Sequence, residues 1–350
     1  MQTKIKIETI DLFCGIGGLT YGLKKSGINV IAGIDNDETC KYAYEKNNKT
    51  KFINADLTKY GSGEIQKIYS PNAIKVLVGC APCQPFSSHS FKNKVKNHDD
   101  RWDLLSYFGK IIDDTLPEIV SMENVRGIVK TNIFKQFLDV LEKNNYHIDY
   151  KIVYVPDYGA PQNRSRLILL ASRLGEIKIP KPTHTKETFV TVKEIIKKLP
   201  PIKAGQTSKY DPLHKAKNLS KINIQRIKQS KQNGTWRDWE KKLLPDCYKK
   251  ESGQTYTSVY GRMGWDNVAP TITTQFFNLG SGRFGHPTQN RALSLREGAL
   301  LQTFPVNYDF GPIKSMTTIA RHIGNSVPPV LGEIIGNTIK KHINNINVTK

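Results

Sequence analysis

Asp11-Leu12-Phe13-Cys14-Gly15-Ile16-Gly17-Gly18 is the stretch whose reading decides the fold. It follows a short β-like run and opens a helical one. Its glycines allow a tight turn and a close backbone approach to a ligand, with a helix N-terminus behind. The spacing is not the full G-x-G-x-x-G fingerprint, because Thr20 stands where the third glycine belongs, and this disfavours a nicotinamide or flavin cofactor. A glycine turn alone is equally a plain turn, so its context matters. Asp35 follows Gly15 by 20 residues and ends the second expected strand, where an acidic side chain can hold ribose hydroxyls. Asp56 ends the third expected strand; the competing role for both acids is turn or cap formation. Strand ends converging on one crevice, with no phosphate clamp, suit an adenosine sulfonium better than a dinucleotide.

Outward from that turn, β-like runs are expected at Thr9–Phe13, Val30–Asp35, Phe52–Ala55, Lys75–Cys80, Ile119–Glu123, Lys151–Val155 and Leu167–Ala171. Helical patterns alternate with them at Glu38–Asn47, Leu104–Thr115 and Phe134–Lys143. This alternation predicts an α/β fold with a doubly wound, mostly parallel, Rossmann-like sheet, whose ligands bind beyond the C-terminal strand ends. From about residue 175 prolines and lysines break the periodicity, and a smaller loop-rich domain is expected over 175–285. Order returns with helices at Arg291–Thr303 and Pro328–His342, so residues 286–350 are expected to rejoin the first domain, 1–174.

The net charge of +21 implies a polyanionic partner, most simply nucleic acid, although a uniformly Lys-rich surface would give the same total. The distribution favours a partner surface. Arg173 to Val268 holds 21 Lys and Arg against 9 Asp and Glu, a net of +12. Five cysteines at irregular spacings argue against a disulfide framework. No apolar run has membrane-spanning length, and Met1–Ile7 lacks a signal-peptide core, so the expected location is the cytoplasm.

Pro82-Cys83-Gln84-Pro85 carries the chemistry. It follows the apolar run Val76-Leu77-Val78-Gly79-Cys80, which places a thiol on a stiff turn at the end of a core strand. Cys80-Ala81-Pro82-Cys83 also fits C-x-x-C. A zinc site would need a second such pair, which the sequence lacks, and a redox pair would leave the glycine turn and the basic segment unexplained. Cys80 is expected to be a small buried hydrophobe in the strand. Met122-Glu123-Asn124-Val125 closes the fifth expected strand, beside the fourth. A carboxyl there is often a cap or a salt-bridge member. Facing the same crevice as a strand-end cysteine, it completes an acid–nucleophile couple.

Together these stretches resemble the DNA (cytosine-5) methyltransferase family, of the prokaryotic restriction–modification type. Asp11–Gly18, Gly79–Ser87 and Glu123-Asn124-Val125 match three of its ordered motifs, and Gln162-Asn163-Arg164-Ser165-Arg166 a fourth. Arg291–Pro305, with Leu301-Gln302-Thr303-Phe304-Pro305, and Gly324-Asn325-Ser326-Val327-Pro328-Pro329 resemble two later ones. The motifs stand in the family's order and span nearly the whole chain.

The resemblance implies methyl transfer from S-adenosyl-L-methionine to carbon 5 of a cytosine within a specific double-stranded DNA sequence, with the base flipped out of the duplex. It implies Cys83 as the nucleophile, Glu123 as the proton donor, Arg166 on the base and Arg164 in support. Cofactor contacts carry over to Phe13, Gly15, Gly17, Gly18, Asp35, Asn36, Asp56, Leu57, Pro82 and Asn325. Asn36 departs from the aromatic or apolar residue common in the family, which shifts the expected adenine contact to Phe13 and Leu57. DNA contacts are expected from Ser87, Lys92 and Lys94 after the nucleophile, and from Arg262 and Arg283 in a target recognition domain. No metal is implied. A monomer paired functionally with a restriction endonuclease is expected. A tRNA cytosine-5 methyltransferase of the same fold is the nearest alternative, but the Cys-Phe-Thr segment of those relatives is missing. A catalytically dead reader of methylated cytosine would not need Cys83, Glu123 and Arg166 together.

Overall fold

All seven expected strands form and join in one sheet. The computed structural model describes residues 6–82, 104–255 and 257–348. The strands are β1 (Ile7–Leu12), β2 (Val30–Asp35), β3 (Lys51–Asn54), β4 (Ile74–Gly79), β5 (Ile119–Val125) and β6 (His147–Tyr154), followed by the two-residue β7 (Gln162–Asn163) and then β8 (Ser165–Ser172). The sheet order is β3-β2-β1-β4-β5-β8-β6, parallel from β3 to β5, with β8 antiparallel to both neighbours. Ile10, Leu12, Leu77, Val120, Met122, Leu167 and Leu169 are fully buried, as expected for a sheet covered on both faces. β6 begins four residues before its expected start at Lys151. It is an edge strand, and its first half, His147-Ile148-Asp149-Tyr150, carries no continuous apolar run.

The chain divides into two compact units. The first comprises the described residues of Met1–Tyr158 together with Ser165–Thr183 and Val327–Lys350. Its sheet is flanked by α1 (Gly18–Lys25), α2 (Lys41–Asn48), α3 (Ser62–Ile68), α4 (Leu104–Thr115) and α5 (Asn132–Lys143). The second unit, Gly159–Arg164 and His184–Ser326, carries α6 (Val192–Ile196), α7 (Lys221–Gln229), α8 (Asp246–Lys249), α9 (Leu295–Leu301) and α10 (Met316–Asn325). A short parallel pair joins β7 to β9 (Ala269–Pro270). The chain then returns to the first unit as α11 (Pro329–Val348), which packs on α1 at backbone contact. A Cβ on Gly22 would lie 2.1 Å from the Pro329 carbonyl oxygen.

The compact second unit reaches Ser326, beyond the expected recognition-domain end at 285. Buried polar bonds account for the extension. Arg291 forms a two-pronged pair with Glu297 of α9, both bonds 2.7 Å, and Arg296 of α9 reaches Asp211 at 2.6 Å. The unit also holds an aromatic cluster in which Trp236 stacks on Tyr248, and the Arg226 guanidinium lies over the Trp239 and Tyr260 rings. Among the described residues no helix is long and apolar enough to cross a membrane.

Candidate active site

The glycine turn leaves β1 with Phe13 at φ 56°, Gly15 at φ 50° and Gly17 at φ 87°, left-handed values that favour glycine. The turn is bolted to the second strand. The Gly15 amide donates to Asp35 Oδ2 at 2.8 Å, and the Asp37 amide donates to Oδ1 at 2.9 Å. Burial pushes the Asp35 carboxyl up, and these two amides counter it. Each carboxylate oxygen keeps a lone pair for a further donor. A Cβ on Gly15 would meet nothing within 4 Å, so space is open beside the turn, whereas on Gly17 it would come within 2.3 Å of the Asn48 side chain. Gly18 opens α1. Thr20, the departure from the dinucleotide fingerprint, is fully buried, and its hydroxyl donates to Asp11 Oδ2 at 2.6 Å. Burial pushes Asp11 up to about 7.

The other expected cofactor contacts divide. Phe13 is half-buried and meets Phe108 edge-on at 6.5 Å, while Asn36 is exposed. Asp56 is half-buried, and its Oδ1 accepts from the Thr58 amide and hydroxyl, which hold its carboxyl below the usual range. Leu57 is more deeply buried than the others. It is 5% exposed and belongs to the core cluster with Ile34 and Ile65, so any face it offers to adenine is small. Asn325 is the exposed last residue of α10, in the second unit.

Two of the catalytic candidates, Glu123 and Arg166, stand on adjacent strands, and Cys80 flanks Glu123 from the other side. β4 and β5 pair with Gly79 opposite Met122, which sets Cys80 beside Glu123. β5 and β8 pair with Val125 opposite Arg166, which sets Arg166 diagonal to Glu123 and within reach of its long side chain. Glu123 is 3% exposed. Arg166 Nε lies 3.0 Å from its Oε1, and Cys80 Sγ lies 2.8 Å from its Oε2. Cys80 is therefore not the buried strand hydrophobe expected. β4 ends at Gly79, and the half-buried thiol one residue later turns toward the carboxylate. Asn124, which sequence reasoning gave no role of its own, donates from Nδ2 to the Ala81 carbonyl at 3.2 Å and fixes the strand exit leading to exposed Pro82. Its adjacency to Glu123 was the available signal. Cys83, Ser87, Lys92 and Lys94 lie outside the described residues.

Arg164 and Arg166 part company. Arg166 stands in β8 of the first unit, whereas Arg164 belongs to the second, is 4% exposed and donates to the Ile272 carbonyl. Arg262 also needs correction as a DNA contact. It is 5% exposed, and its guanidinium donates to the carbonyls of Ser230, His286, Gln289 and Ile227 and to Asn290 Oδ1. A guanidinium has five N–H donors in a fixed fork, and Arg262 makes five bonds inside the unit. Arg283 is half-buried. Gln162, which the sequence reading quoted without singling out, is fully buried and ties β7 to Gln302, to the Leu301 carbonyl and to the Ile272 amide.

Comparison with known proteins gives the family. Residues 7–341 match the model of the C-5 cytosine-specific DNA methylase family. The chain is 48% identical over 343 residues to the Type II methylase M.HgiDII of Herpetosiphon aurantiacus, covering 97% of this chain and 96% of that one. It is 28% identical to the Type II methyltransferase M1.HphI of Haemophilus parahaemolyticus, covering 96% and 87%. Its fold is similar to that of a candidate DNA modification methyltransferase encoded within an E. coli prophage, with a TM-score of 0.74 at 22% identity, covering 97% of this chain and 100% of that one. The chain belongs to the C-5 cytosine-specific DNA methylase family and is a DNA (cytosine-5)-methyltransferase.

Proposed function

We propose that the protein methylates one cytosine within a specific duplex sequence, using S-adenosyl-L-methionine, through a covalent adduct of a flipped base with Cys83. The observation that carries this reading is the buried Glu123 carboxylate at a strand end, held by Arg166 at 3.0 Å beside the strand that leads to Pro82 and Cys83. Cytosine carbon 5 is a poor nucleophile until the ring is activated. Attack of the Cys83 thiolate on carbon 6, with a proton or hydrogen bond from Glu123 at ring nitrogen 3, makes carbon 5 enamine-like and reactive. Arg166 orients Glu123 and faces the exocyclic oxygen of the base. Loss of the carbon 5 proton after methyl transfer expels the cysteine.

The residues of the first unit fit the methyl donor. Open space beside Gly15, the Asp35 carboxylate and the half-buried Phe13 ring would receive its ribose and adenine, with Gly17, Gly18, Asn36, Asp56 and Pro82 as further contacts. When bound, the cofactor supplies an electrophilic methyl group. The target carbon is closed off within a duplex, so the base leaves the stack. Residues 175–285 act as the target recognition domain, with lysines on phosphates and Arg283 among the candidate base readers; Ser87, Lys92 and Lys94 contact the backbone near the nucleophile. The names of the similar Type II enzymes support a partner endonuclease whose site this methylation protects, and we assign the active form as a cytoplasmic monomer.

Purified protein given labelled S-adenosyl-L-methionine is expected to label double-stranded DNA at cytosine. Cys83→Ser should abolish transfer while leaving DNA binding. Labelling of tRNA but not of duplex DNA would overturn the substrate. Bisulfite sequencing of DNA from expressing cells gives the site, and that DNA should resist an endonuclease cutting there.

A further inference from the structure

We infer that Cys80 is a positioning residue for the reaction, holding Glu123 by a hydrogen bond that serves both its ionised and its protonated form. The inference rests on the proposed role of Glu123 and assigns a task to the first cysteine of the C-x-x-C pair. The geometry comes from the sheet itself. The parallel register of β4 and β5 sets Cys80 level with Glu123, and the thiol sulfur lies 2.8 Å from Oε2. On the opposite side Arg166 Nε lies 3.0 Å from Oε1. The 3% exposed carboxyl thus has a permanent cation on one flank and a neutral thiol on the other.

The two flanks act differently on a group that must give up and regain a proton. A guanidinium only donates, and it favours the carboxylate. A thiol is a weak donor and a weak acceptor. It donates to Oε2 of the ionised form and accepts from Oε2–H of the protonated form, so the rotamer is kept through the cycle. Replacing the thiol by a methyl leaves Arg166 as the sole flanking partner described and frees the carboxyl to swing toward it. Asn124, bonded to the Ala81 carbonyl at 3.2 Å, fixes the backbone on which the thiol sits.

The test is single-turnover methyl transfer with the full chain, alongside binding of S-adenosyl-L-methionine and of duplex DNA. Cys80→Ala is expected to slow transfer about tenfold, with both binding constants within about twofold, and Cys80→Ser, which can also donate and accept, to recover to within about threefold of the parent. Because Cys80 also lies three residues before Cys83, the comparison is repeated in a Glu123→Gln background, where Cys80→Ala should cost nothing further. An equal loss in both backgrounds would mean that Cys80 acts through Cys83 instead of Glu123, and overturns the inference. So would unchanged transfer in Cys80→Ala, or a Cys80→Ser variant as slow as Cys80→Ala. Full activity of Glu123→Gln alone is a separate result: it removes Glu123 from the proposed mechanism, and this inference with it.

Discussion

The two units are held together by opposite means. The first buries a sheet of aliphatic side chains, with Ile10, Leu77, Val120, Met122 and Leu169 at zero exposure. Among the described residues the second has no strand longer than two residues, and its short helices and loops close around an aromatic cluster and buried charge. Arg262 collects four backbone carbonyls, while Arg291 and Glu297, 1% and 0% exposed, clamp the start of α9. Regular strands satisfy their own backbone; irregular loops must find donors elsewhere, and a guanidinium fork supplies several at once. A unit built in the second way tolerates loop variation so long as its few polar pins survive. That suits a surface whose task is to read one DNA sequence among many.

Breaking a pin should have the largest effect. Glu297→Ala leaves Arg291 buried without its carboxylate and is expected to cost about 3–5 kcal/mol. Hydrogen exchange should show the protection lost across 184–326 while β1, β4 and β5 keep theirs; loss spread evenly over both units would erase the distinction. Leu77→Ala, a cavity at the centre of the sheet, should cost about 2–4 kcal/mol, with exchange rising first in the first unit.

pH should act on the units in opposite directions. Burial lowers His286 to about 4, and for Glu297 burial opposes but Arg291 prevails, holding it at about 2. In both cases the unfolded chain binds more protons, so the second unit loses stability as pH falls, from about 6.5 to 4 for His286 and from about 4.5 to 2 for Glu297. Asp11 is pushed up to about 7 by burial, so the folded first unit holds the extra proton. Its contribution is complete below the usual 3.8 and is lost as pH rises through 7. Exchange at pH 5 and pH 8, corrected for intrinsic rates, should favour the first unit at the lower pH and the second at the higher. Asp11→Asn should flatten the first unit's response between those values. The smallest effect is expected at Tyr210, which is 90% exposed: Tyr210→Ser should change stability by no more than about 0.5 kcal/mol in thermal unfolding.

What the sequence disclosed follows the same division. Strands buried on both faces read as apolar runs, so the sheet and the strand-end position of Glu123 were legible, and the exposed edge strand β6 was cut short the most, by four residues at its start. Arg262 was misread because an arginine in a basic segment looks the same whether it faces DNA or four converging carbonyls, and those carbonyls have no sequence signature. Cys80 was misplaced by one residue of strand length, which turned a thiol from core to crevice. Some information was present and passed over. Ser294 and Glu297 form a capping box that marks the start of α9 near Leu295, four residues after the helix was expected to begin.

The central claim is that Cys83 attacks a flipped cytosine with Glu123 supplying the proton. Covalent capture on duplex DNA carrying 5-fluorocytosine at the target position tests it most directly, because the fluorine blocks the step that expels the cysteine. With S-adenosyl-L-methionine present, a denaturation-resistant protein–DNA adduct should accumulate, mapping to Cys83, forming more slowly in Glu123→Gln and not at all in Cys83→Ser. An adduct that persists in Cys83→Ser, or maps to Cys80, would contradict the claim.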